Sequence, residues 1–440
     1  MGLHVFAALA LLLAGHHDAT ALRAPAPCPG SPSFTCSVLD VPLDRTGRRP
    51  GTLHLRVAAA DNTRAPRGIL LVIAGGPGQP ATPIVARFAE RALGAERRAY
   101  RIVAYDQRGT GFGALSCGAL QEAMGSSDLA PPPASAVRAC ARKLGSRRQF
   151  FGTDDVVADM EALRRALGVE RWTLDGVSYG TFVGERYALA HPQRVTRLVL
   201  DSVVPHVGET DLGVDEFRAA RRVLRAVCAS ERCSRDLAAA VRRYRNGPRL
   251  LDALTLMSLA DPTYRTLVDV PAALRSAARG DRSALDAWLR AARMWQAAPA
   301  DDLDQGLHAS ALCADWRYPW GGSAAPLRGR AAKLRHAVAR LRPAELYPFD
   351  RATALGNGFI RQCLPWAPTP ATPLVSGRVS VPALLVNGDH DLSTPLEWAR
   401  EELRLTTRAK LVVIRGAGHS TQSRASTDAA RKAVAAFLLG

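Results

Sequence analysis

The sequence lacks several features that would place it in other classes of protein. It has no long low-complexity tract, and 47% of its 440 residues are hydrophobic, which excludes global disorder. No apolar run reaches the ~20 residues that a membrane-spanning helix needs, so we expect no stable membrane insertion. No C-x-x-C pair occurs, and the histidines have no spacing that would complete a zinc site. The sequence therefore predicts a large buried core and no metal or other cofactor.

Negative charge is also scarce. Lysine and arginine together number 58 against 40 acidic residues, which gives a formal net charge of +18. The excess is nearly all arginine, and it is scattered along the chain instead of forming a tract. Because no nucleic-acid motif accompanies this charge, we expect no nucleic-acid binding. The charge favours weak adhesion to anionic polymers of the cell envelope. Biased genome composition is an alternative explanation for the arginine preference.

The N-terminus has the pattern of a secretory signal. An apolar run at residues 5–14 has about the length of the hydrophobic region of a signal peptide, and an A-x-A cleavage pattern follows at residues 19–21. No lysine or arginine precedes the run, so the terminal amine and His4 are the only cationic groups there. We predict that residues 1–21 are a signal peptide and that the protein is secreted or held in the cell envelope. A buried N-terminal helix is the alternative.

Eight cysteines fit an exported protein, because an even number in such a chain indicates disulfide bonds. Eight cysteines allow 105 pairings, so the sequence does not determine the connectivity. Proximity along the chain favours four pairs, namely Cys28–Cys36, Cys117–Cys140, Cys228–Cys233 and Cys313–Cys363.

Short apolar runs alternate with helical segments after residue 50. The runs that predict buried strands lie at residues 69–73, 101–105, 171–175, 197–201, 383–387 and 411–414. Residues 153–167 have helical period, with apolar residues on one face and Thr153 as the predicted N-cap. Further helices are predicted after residue 178, as far as about 190, and over about 427–439. This alternation predicts an α/β fold with a mostly parallel central sheet and helices on both faces.

A change in composition near residue 205 indicates an insertion. From there to about residue 373 the chain is predicted to be helical, is rich in alanine and arginine, and has no strand-like runs. We therefore predict one α/β core, formed by residues 22–204 and 374–440, with residues 205–373 inserted as a helical cap. Such a cap would cover the carboxyl ends of the strands, where ligands bind in open α/β sheets. An independent helical domain is the alternative.

A G-x-S-x-G sequence at residues 176–180 lies between a predicted strand and a predicted helix. The sharp turn that this arrangement requires would expose Ser178 at the end of the sheet, next to a helix N-terminus that favours developing negative charge. Glycines on both sides leave room that a Cβ atom would fill. We predict that Ser178 is a nucleophile. A tight turn with a capping serine is the alternative.

A serine hydroxyl needs a base and an oriented acid, which follow it in the order acid and then histidine in this arrangement. His419 follows the strand predicted at residues 411–414 and is preceded by two nearby glycines, so we predict that it is the base. Asp391 and Asp389 both follow the strand predicted at residues 383–387. Asp389 could instead hydrogen-bond its own turn. We favour Asp391 as the acid.

Acyl transfer also needs backbone N–H donors for the oxyanion of the tetrahedral intermediate. The residue after the nucleophile, Tyr179, supplies one predicted donor. The loop at residues 74–78, after the strand predicted at 69–73, supplies the other, for which we choose Gly76. A glycine-rich phosphate cradle is the alternative, but the spacing matches neither nucleotide-binding pattern.

Several motifs together resemble one family of enzymes. They are G-G-P-G at 75–78, D-Q-R-G-T-G at 106–111, G-V-S-Y-G-T at 176–181, and G-D-H-D at 388–391 with T-P at 394–395. This combination resembles the proline iminopeptidase and tripeptidyl aminopeptidase family of α/β-hydrolases. It is most similar to the secreted tripeptidyl aminopeptidases of actinomycete-type bacteria, which V-P-L-D at 41–44 and A-L-C-A-D-W at 311–316 also resemble. The resemblance runs from about residue 28 to the C-terminus.

The resemblance implies an α/β-hydrolase fold and a serine exopeptidase that acts on peptide substrates with a free N-terminus, whereas the predicted helical cap resembles little in the family. It implies Ser178 as nucleophile, Asp391 as acid and His419 as base. The substrate ammonium would need carboxylate partners, for which Asp215, Glu216 and Asp315 are candidates. Each of these could instead be a surface charge.

Two other functions are compatible with the motifs. A secreted esterase or lipase-like hydrolase would use the same triad, although a cap poor in aromatic residues favours a peptidase. A scaffold that retained the fold without catalysis is the third alternative, which the intact triad pattern disfavours.

The mature protein should begin near Leu22 and contain no free thiol, because of the A-x-A site and the even cysteine count. Intact-mass measurement with and without reduction before alkylation tests both expectations. Two or more cysteines alkylated without reduction would contradict the disulfide framework.

Overall fold

The computed structural model describes residues 21–208, 212–259 and 268–440. A nine-stranded sheet runs through this part of the chain in the order β1-β2-β3-β5-β4-β6-β7-β8-β9. The strands are β1 Arg23–Cys28, β2 Ser31–Pro42, β3 Thr52–Ala60, β4 Ile69–Ile73, β5 Arg101–Tyr105, β6 Trp172–Val177, β7 Val195–Asp201, β8 Ala383–Gly388 and β9 Ala409–Ile414. The strands β4 to β9 pair in parallel, as the sequence predicts.

The edge formed by β1, β2 and β3 is antiparallel and was not predicted. These strands contain proline, serine and threonine, so they have no continuous apolar run. Along β2, Leu39 and Val41 are fully buried while Asp40 between them is more exposed. This alternation is the pattern of a strand with one buried face. The predicted signal peptide lies outside the described residues except for Ala21.

Nineteen α-helices lie in the described part of the chain. They are α1 Val85–Ala92, α2 Glu96–Ala99, α3 Gly118–Met124, α4 Ala134–Leu144, α5 Thr153–Ala166, α6 Tyr179–Ala190, α7 Val214–Cys228, α8 Arg232–Tyr244, α9 Gly247–Leu259, α10 Val270–Arg279, α11 Ser283–Trp295, α12 Gln305–Asp315, α13 Arg330–Ala339, α14 Pro343–Leu346, α15 Arg351–Gly356, α16 Gly358–Cys363, α17 Leu396–Leu405, α18 Thr421–Arg424 and α19 Ala429–Leu439. None of the described helices is long and apolar enough to cross a membrane.

Helices cover both faces of the sheet. Leu71 and Val103 belong to the core that includes α5 and α6, while their neighbours Leu70 and Ile102 belong to the core that includes α1 and α19. Each of these side chains is fully buried, which stabilises the fold by ~1.5–3 kcal/mol per residue. The sheet is therefore the middle of three layers.

The helix α5 begins one residue earlier than the sequence predicts. Gly152 is the N-cap, and Thr153 is the first helical residue. The Thr153 side chain does not cap the helix, because its hydroxyl donates to the carboxylate of Asp315 at 2.6 Å. The predicted N-cap is therefore wrong, and a long-range contact is the reason.

The chain between β7 and β8 is helical. The helices α7 to α16 lie there, and the described residues of this segment form no strand apart from two isolated bridges, Tyr318 with Gly321 and Val379 with Thr406. Their buried side chains join the core on the α5 and α6 face of the sheet. The exact cap boundaries at residues 205 and 373 stay a prediction.

The eight cysteines pair as their proximity along the chain predicts. The structure joins Cys28–Cys36, Cys117–Cys140, Cys228–Cys233 and Cys313–Cys363. No cysteine is free. The last of these bonds connects α12 to α16 within the helical segment.

The D-Q-R-G-T-G motif holds a buried ion pair. Arg108 is fully buried, and its Nε and Nη2 donate to the two carboxylate oxygens of Asp159 on α5, both at 2.7 Å. Arg108 also donates to the backbone carbonyls of Leu43 and Phe150, and Arg45 forms a second ion pair with Asp159. The motif thus connects α5 both to the loop that follows β2 and to the segment that precedes α5.

Replacing Asp159 with alanine should destabilise the fold by about 3–5 kcal/mol, because it leaves the Arg108 guanidinium buried without its main carboxylate. Asp154→Ala is a matched control, since Asp154 is exposed on the same helix, and it should change stability by about 0.5 kcal/mol or less. Denaturant unfolding of both variants measures the difference. Equal losses in the two variants would contradict this role for the buried pair.

Candidate active site

Ser178 lies at a sharp turn between β6 and α6. Its backbone has φ +59° and ψ −129°, a conformation that is strained for a residue with a side chain. A Cβ atom at Gly176 would collide with the carbonyl of Gly180, and one at Gly180 would collide with the carbonyl of Ile73. The two glycines of G-x-S-x-G therefore allow the tight passage from strand to helix that presents Ser178.

The structure brings His419 and Asp391 together. The His419 Nδ1 lies 2.9 Å from Asp391 Oδ2, and both side chains are buried. Thr394 donates its hydroxyl to Asp391 Oδ2 at 2.7 Å, and the backbone N–H groups of Ser393 and Thr394 donate to Oδ1. An ionised Asp391 accepts from Nδ1–H, so the other ring nitrogen, Nε2, is left as a proton acceptor.

Burial alone raises the pKa of Asp391, but the adjacent His419 and the hydrogen bonds from His419 and Thr394 outweigh it, and the pKa lies below its ordinary value. Asp389 has a different partner, because its carboxylate accepts from the backbone N–H of Gly416 at 2.7 Å. Of the two acids that the sequence offered, Asp391 is the one that contacts His419.

The loop that carries His419 is held by Asp201, the last residue of β7. The Asp201 carboxylate accepts from the backbone N–H groups of Thr421 and Gln422 at 2.9 and 2.8 Å. Its backbone carbonyl accepts from Ser178 N–H at 2.9 Å. Sequence reasoning missed this positioning residue, although an aspartate at the carboxyl end of a buried strand was a usable signal.

The loop at residues 74–78 lies against the nucleophile. A Cβ atom at Gly75 would come within 2.8 Å of the Ser178 Cβ, so the backbone passes directly beside this side chain. Within the described residues, the N–H groups of Gly76 and Tyr179 donate to no acceptor outside regular secondary structure. Neither N–H group is thus committed to such an acceptor, and their role as oxyanion donors stays a prediction.

Ser178 and His419 line one cavity of about 470 Å³. No hydrogen bond joins Ser178 Oγ to His419 within the described residues, which is common for a catalytic serine and histidine without substrate. Gly75 and Gly76 line the same cavity, as do apolar side chains of α9, including Leu256 and Leu259. The cavity therefore brings the serine, the histidine and the glycine loop to one place between the core and the helical segment.

The three acids that the sequence offered for substrate ammonium binding do not line this cavity. Asp215 pairs with Arg218 at 2.7 Å. Asp315 is buried and accepts from the N–H and hydroxyl of Thr153 at 3.0 and 2.6 Å. Glu216 is buried in the first turn of α7. All three acids therefore lie away from this cavity, and their binding of a substrate ammonium stays a prediction.

Asp128 is the only acid among the described residues that line the cavity. It lies in the loop between α3 and α4, and its side chain is 16% exposed. The His308 Nε2 on α12 lies 3.2 Å from one carboxylate oxygen. Sequence reasoning missed Asp128 because it belongs to no motif, and because it reaches the serine only through the fold.

The proton on His308 can be placed from its neighbours. Gln305 Nε2 donates to the carbonyls of Gly125 and Ser127, so its Oε1 must accept from Gln362 Nε2 at 3.2 Å. Gln362 Oε1 therefore faces His308 Nδ1 at 2.7 Å and accepts its proton. His308 Nε2 lies on the other side of the ring and faces the Asp128 carboxylate at 3.2 Å. Because Nδ1–H is directed at Gln362, a hydrogen bond from Nε2 to Asp128 needs a second ring proton, which would make the contact an ion pair.

Another group of described residues has the spacing to hold a cation. Candidate ligand atoms of Glu185, His206 and Glu402 lie within 4.8 Å of one another, and all three residues are buried. His206 Nδ1 lies 2.8 Å from Glu402. Burial raises the pKa of Glu185 well above its ordinary value, and the charge of Glu402 adds to the rise. None of the three lines the cavity, so this group lies outside the candidate active site.

Comparisons with known proteins agree with this architecture. The sequence model of the alpha/beta hydrolase fold family matches residues 68–424. The chain is similar to the tripeptidyl aminopeptidase of Streptomyces lividans, with 30% identity over 188 residues, which cover 38% of this chain and 35% of that protein. It is also similar to a probable proline iminopeptidase of Streptomyces coelicolor, with 38% identity over 133 residues, which cover 30% of this chain and 32% of that protein.

The match thus spans about a third of the length of these curated relatives. Among solved structures, the proline iminopeptidase of Mycobacterium smegmatis aligns with 91% of this chain and 97% of its own, at 18% identity and a TM-score of 0.43. The family match covers most of the chain and includes the serine, the aspartate and the histidine. The chain therefore belongs to the α/β hydrolase fold family, and it resembles the aminopeptidases within that family, as the motifs predicted.

Proposed function

We propose that this protein is a serine aminopeptidase, which releases N-terminal residues or short peptides through an acyl-enzyme. The observation that carries the proposal is the position of Asp128, an acid in the same cavity as Ser178 and His419. An esterase or lipase has no need of a carboxylate there, whereas an exopeptidase must bind the ammonium of its substrate.

In the proposed reaction, His419 Nε2 takes the proton of Ser178 Oγ as this oxygen attacks the carbonyl carbon of the scissile bond. The N–H groups of Gly76 and Tyr179 stabilise the oxyanion of the tetrahedral intermediate. His419 then gives the proton to the departing amine, which leaves an ester on Ser178. A water molecule, activated in the same way by His419, hydrolyses this ester.

Asp391 contributes to these reaction steps through His419. Its hydrogen bond from Nδ1 fixes the tautomer in which Nε2 can accept a proton, and its charge stabilises the imidazolium that forms. The low pKa of Asp391 supports this role, because the carboxylate stays ionised while His419 gains its proton.

The substrate ammonium would bind at the carboxylate of Asp128, which also faces His308 Nε2 at 3.2 Å. An ammonium taken into this half-buried place loses hydration and needs such a partner. Because the binding group lies at a set distance from Ser178, it would also set how many residues precede the scissile bond. The names of the relatives, tripeptidyl aminopeptidase and proline iminopeptidase, suggest release of tripeptides or of an N-terminal proline.

A carboxylic ester hydrolase is the second candidate. The observation that favours it is the apolar part of the cavity, where Phe88, Leu256 and Leu303 lie among the lining side chains. Such a surface suits an acyl chain, and the triad would serve an ester equally well.

We also propose that the protein acts outside the cell or in its envelope. Four disulfides, which persist in oxidising compartments, support this proposal. Adhesion to anionic envelope polymers through the net charge of +18 is part of the same proposal.

Asp391→Asn should lower kcat/KM by several orders of magnitude, because it removes the carboxylate that orients His419. Asp389→Asn is the matched control and should remain within a few-fold of the unchanged enzyme, since Asp389 contacts Gly416 instead. Turnover of a chromogenic peptide by both variants decides the matter, with Ser178→Ala as the inactive blank. An inactive 389 variant beside an active 391 variant would show that the acid is misassigned.

Blocking the substrate amine should reduce kcat/KM by about 30-fold or more. The reason is that an acetylated substrate leaves Asp128 without its cation, a loss of roughly 2–5 kcal/mol for a buried pair, and ~1.4 kcal/mol is tenfold. The measurement compares free and N-acetylated forms of one chromogenic peptide.

In Asp128→Asn this preference for the free amine should largely disappear, whereas Asp315→Asn should keep it. If the unchanged enzyme cuts acetylated peptides or simple esters as fast as free peptides, the aminopeptidase proposal loses to an esterase or an endopeptidase. If Asp315→Asn alone removes the preference, the ammonium site is at Asp315.

A further inference from the structure

Three arginines line the cavity at a place where no acid accompanies them. Arg87 and Arg91 project from α1, which follows the glycine loop, and Arg424 ends α18, which follows His419. All three side chains are exposed. Asp128, the one acid in the described lining, is largely buried. The cavity therefore has a negative charge in its interior and positive charges at its mouth.

The three arginines lie near one another. The helix α18 packs against α1. The charge of Arg87 acts on Arg424, as do the charges of the buried carboxylates Asp391 and Asp201. No carboxylate within the described part of the chain forms an ion pair with any of the three. Like charges held together in this way favour an anion between them.

The position of His419 shows which part of a substrate would reach the arginines. His419 must give its proton to the departing nitrogen, so the leaving group lies on the His419 side of Ser178. Arg424 follows His419 in the next helix, and Arg424 donates to the carbonyl of Leu259 beside the cavity. An N-terminus held at the buried Asp128 therefore directs the departing part of the peptide toward the exposed arginines.

We propose that Arg87, Arg91 and Arg424 bind a carboxylate of the departing part of the substrate, and that the preferred substrates are short peptides whose C-terminal carboxylate reaches this mouth. The proposal rests on the proposed aminopeptidase function. Each extended residue spans ~3.3–3.6 Å, so a free carboxylate one or two residues beyond the scissile bond lies within ~7 Å of it. An acidic side chain in the departing part would offer the same chemistry, and the experiment separates the two sources.

The test uses three peptides of one sequence, each with a free N-terminus and two residues after the scissile bond. The first ends in a free carboxylate and the second in a carboxamide. The third also ends in a carboxamide, but its last residue is Glu, whereas the last residue of the other two peptides is Gln. The unchanged enzyme should cut the free acid about fivefold faster or more, by kcat/KM, than the neutral amide at low ionic strength. The preference should shrink at about 1 M salt, where the Debye length falls to ~3 Å.

The double variant Arg87→Gln with Arg91→Gln should lose this preference. Arg64→Gln is the matched control, because Arg64 is exposed and does not line the cavity, and it should retain the preference. Circular dichroism establishes that both variants are folded. Arg424 is left unchanged because its hydrogen bond to Leu259 gives it a structural contact.

Equal rates on the acid and the neutral amide, or an undiminished preference in the double variant, would overturn the arginine proposal and leave the aminopeptidase proposal intact. A Glu-bearing amide cut as fast as the free acid would keep the carboxylate site but overturn the preference for short peptides. If none of the three peptides is cut while simple esters are, the proposed function itself fails and this inference fails with it.

Discussion

The geometry of the site depends on Asp201 at the carboxyl end of β7. Its backbone carbonyl accepts from Ser178 N–H, and its buried carboxylate accepts from Thr421 and Gln422 in the segment after His419. Burial raises the pKa of Asp201, and the hydrogen bonds from Gln422 and Thr421 oppose that rise. One residue thus positions the nucleophile turn and the histidine loop relative to each other. This loop carries the histidine whose Nδ1 lies 2.9 Å from Asp391, and Ser258 and Ser202 also hold it through the N–H groups of His419 and Ser420.

The parts of the fold that were predicted correctly are those that the local sequence pattern determines. The runs at residues 69–73 and 101–105 became strands with the same bounds, and the turn at Ser178 follows from two glycines that no larger residue could replace. Thr153, Asp128 and Asp201 were misjudged or missed. Their partners lie 162, 180 and 220 residues away along the chain, so only the folded structure brings them together.

The arginine excess has a structural use that composition alone does not reveal. Arg108 satisfies two backbone carbonyls as well as Asp159. Arg330 is buried and donates to the carbonyls of Cys363, Trp366 and Ala325 in the helical segment. A guanidinium has five N–H groups in a fixed plane, so it can satisfy several carbonyls of irregular chain at once, which an ammonium does less well. Part of the positive charge therefore stabilises loops. The arginines that form no ion pair include those that we propose bind a carboxylate of the substrate.

The cavity combines these two uses of charge. Asp128 presents an acceptor in its interior, while Arg87 and Arg91 present donors at its mouth. A short peptide carries an ammonium at one end and a carboxylate at the other, so the two charged places would favour one orientation of such a substrate. Under the proposed aminopeptidase function, the distance from Asp128 would set which bond reaches Ser178, and the departing part would lie beside His419. The same charge separation that orients the substrate would therefore also select its length.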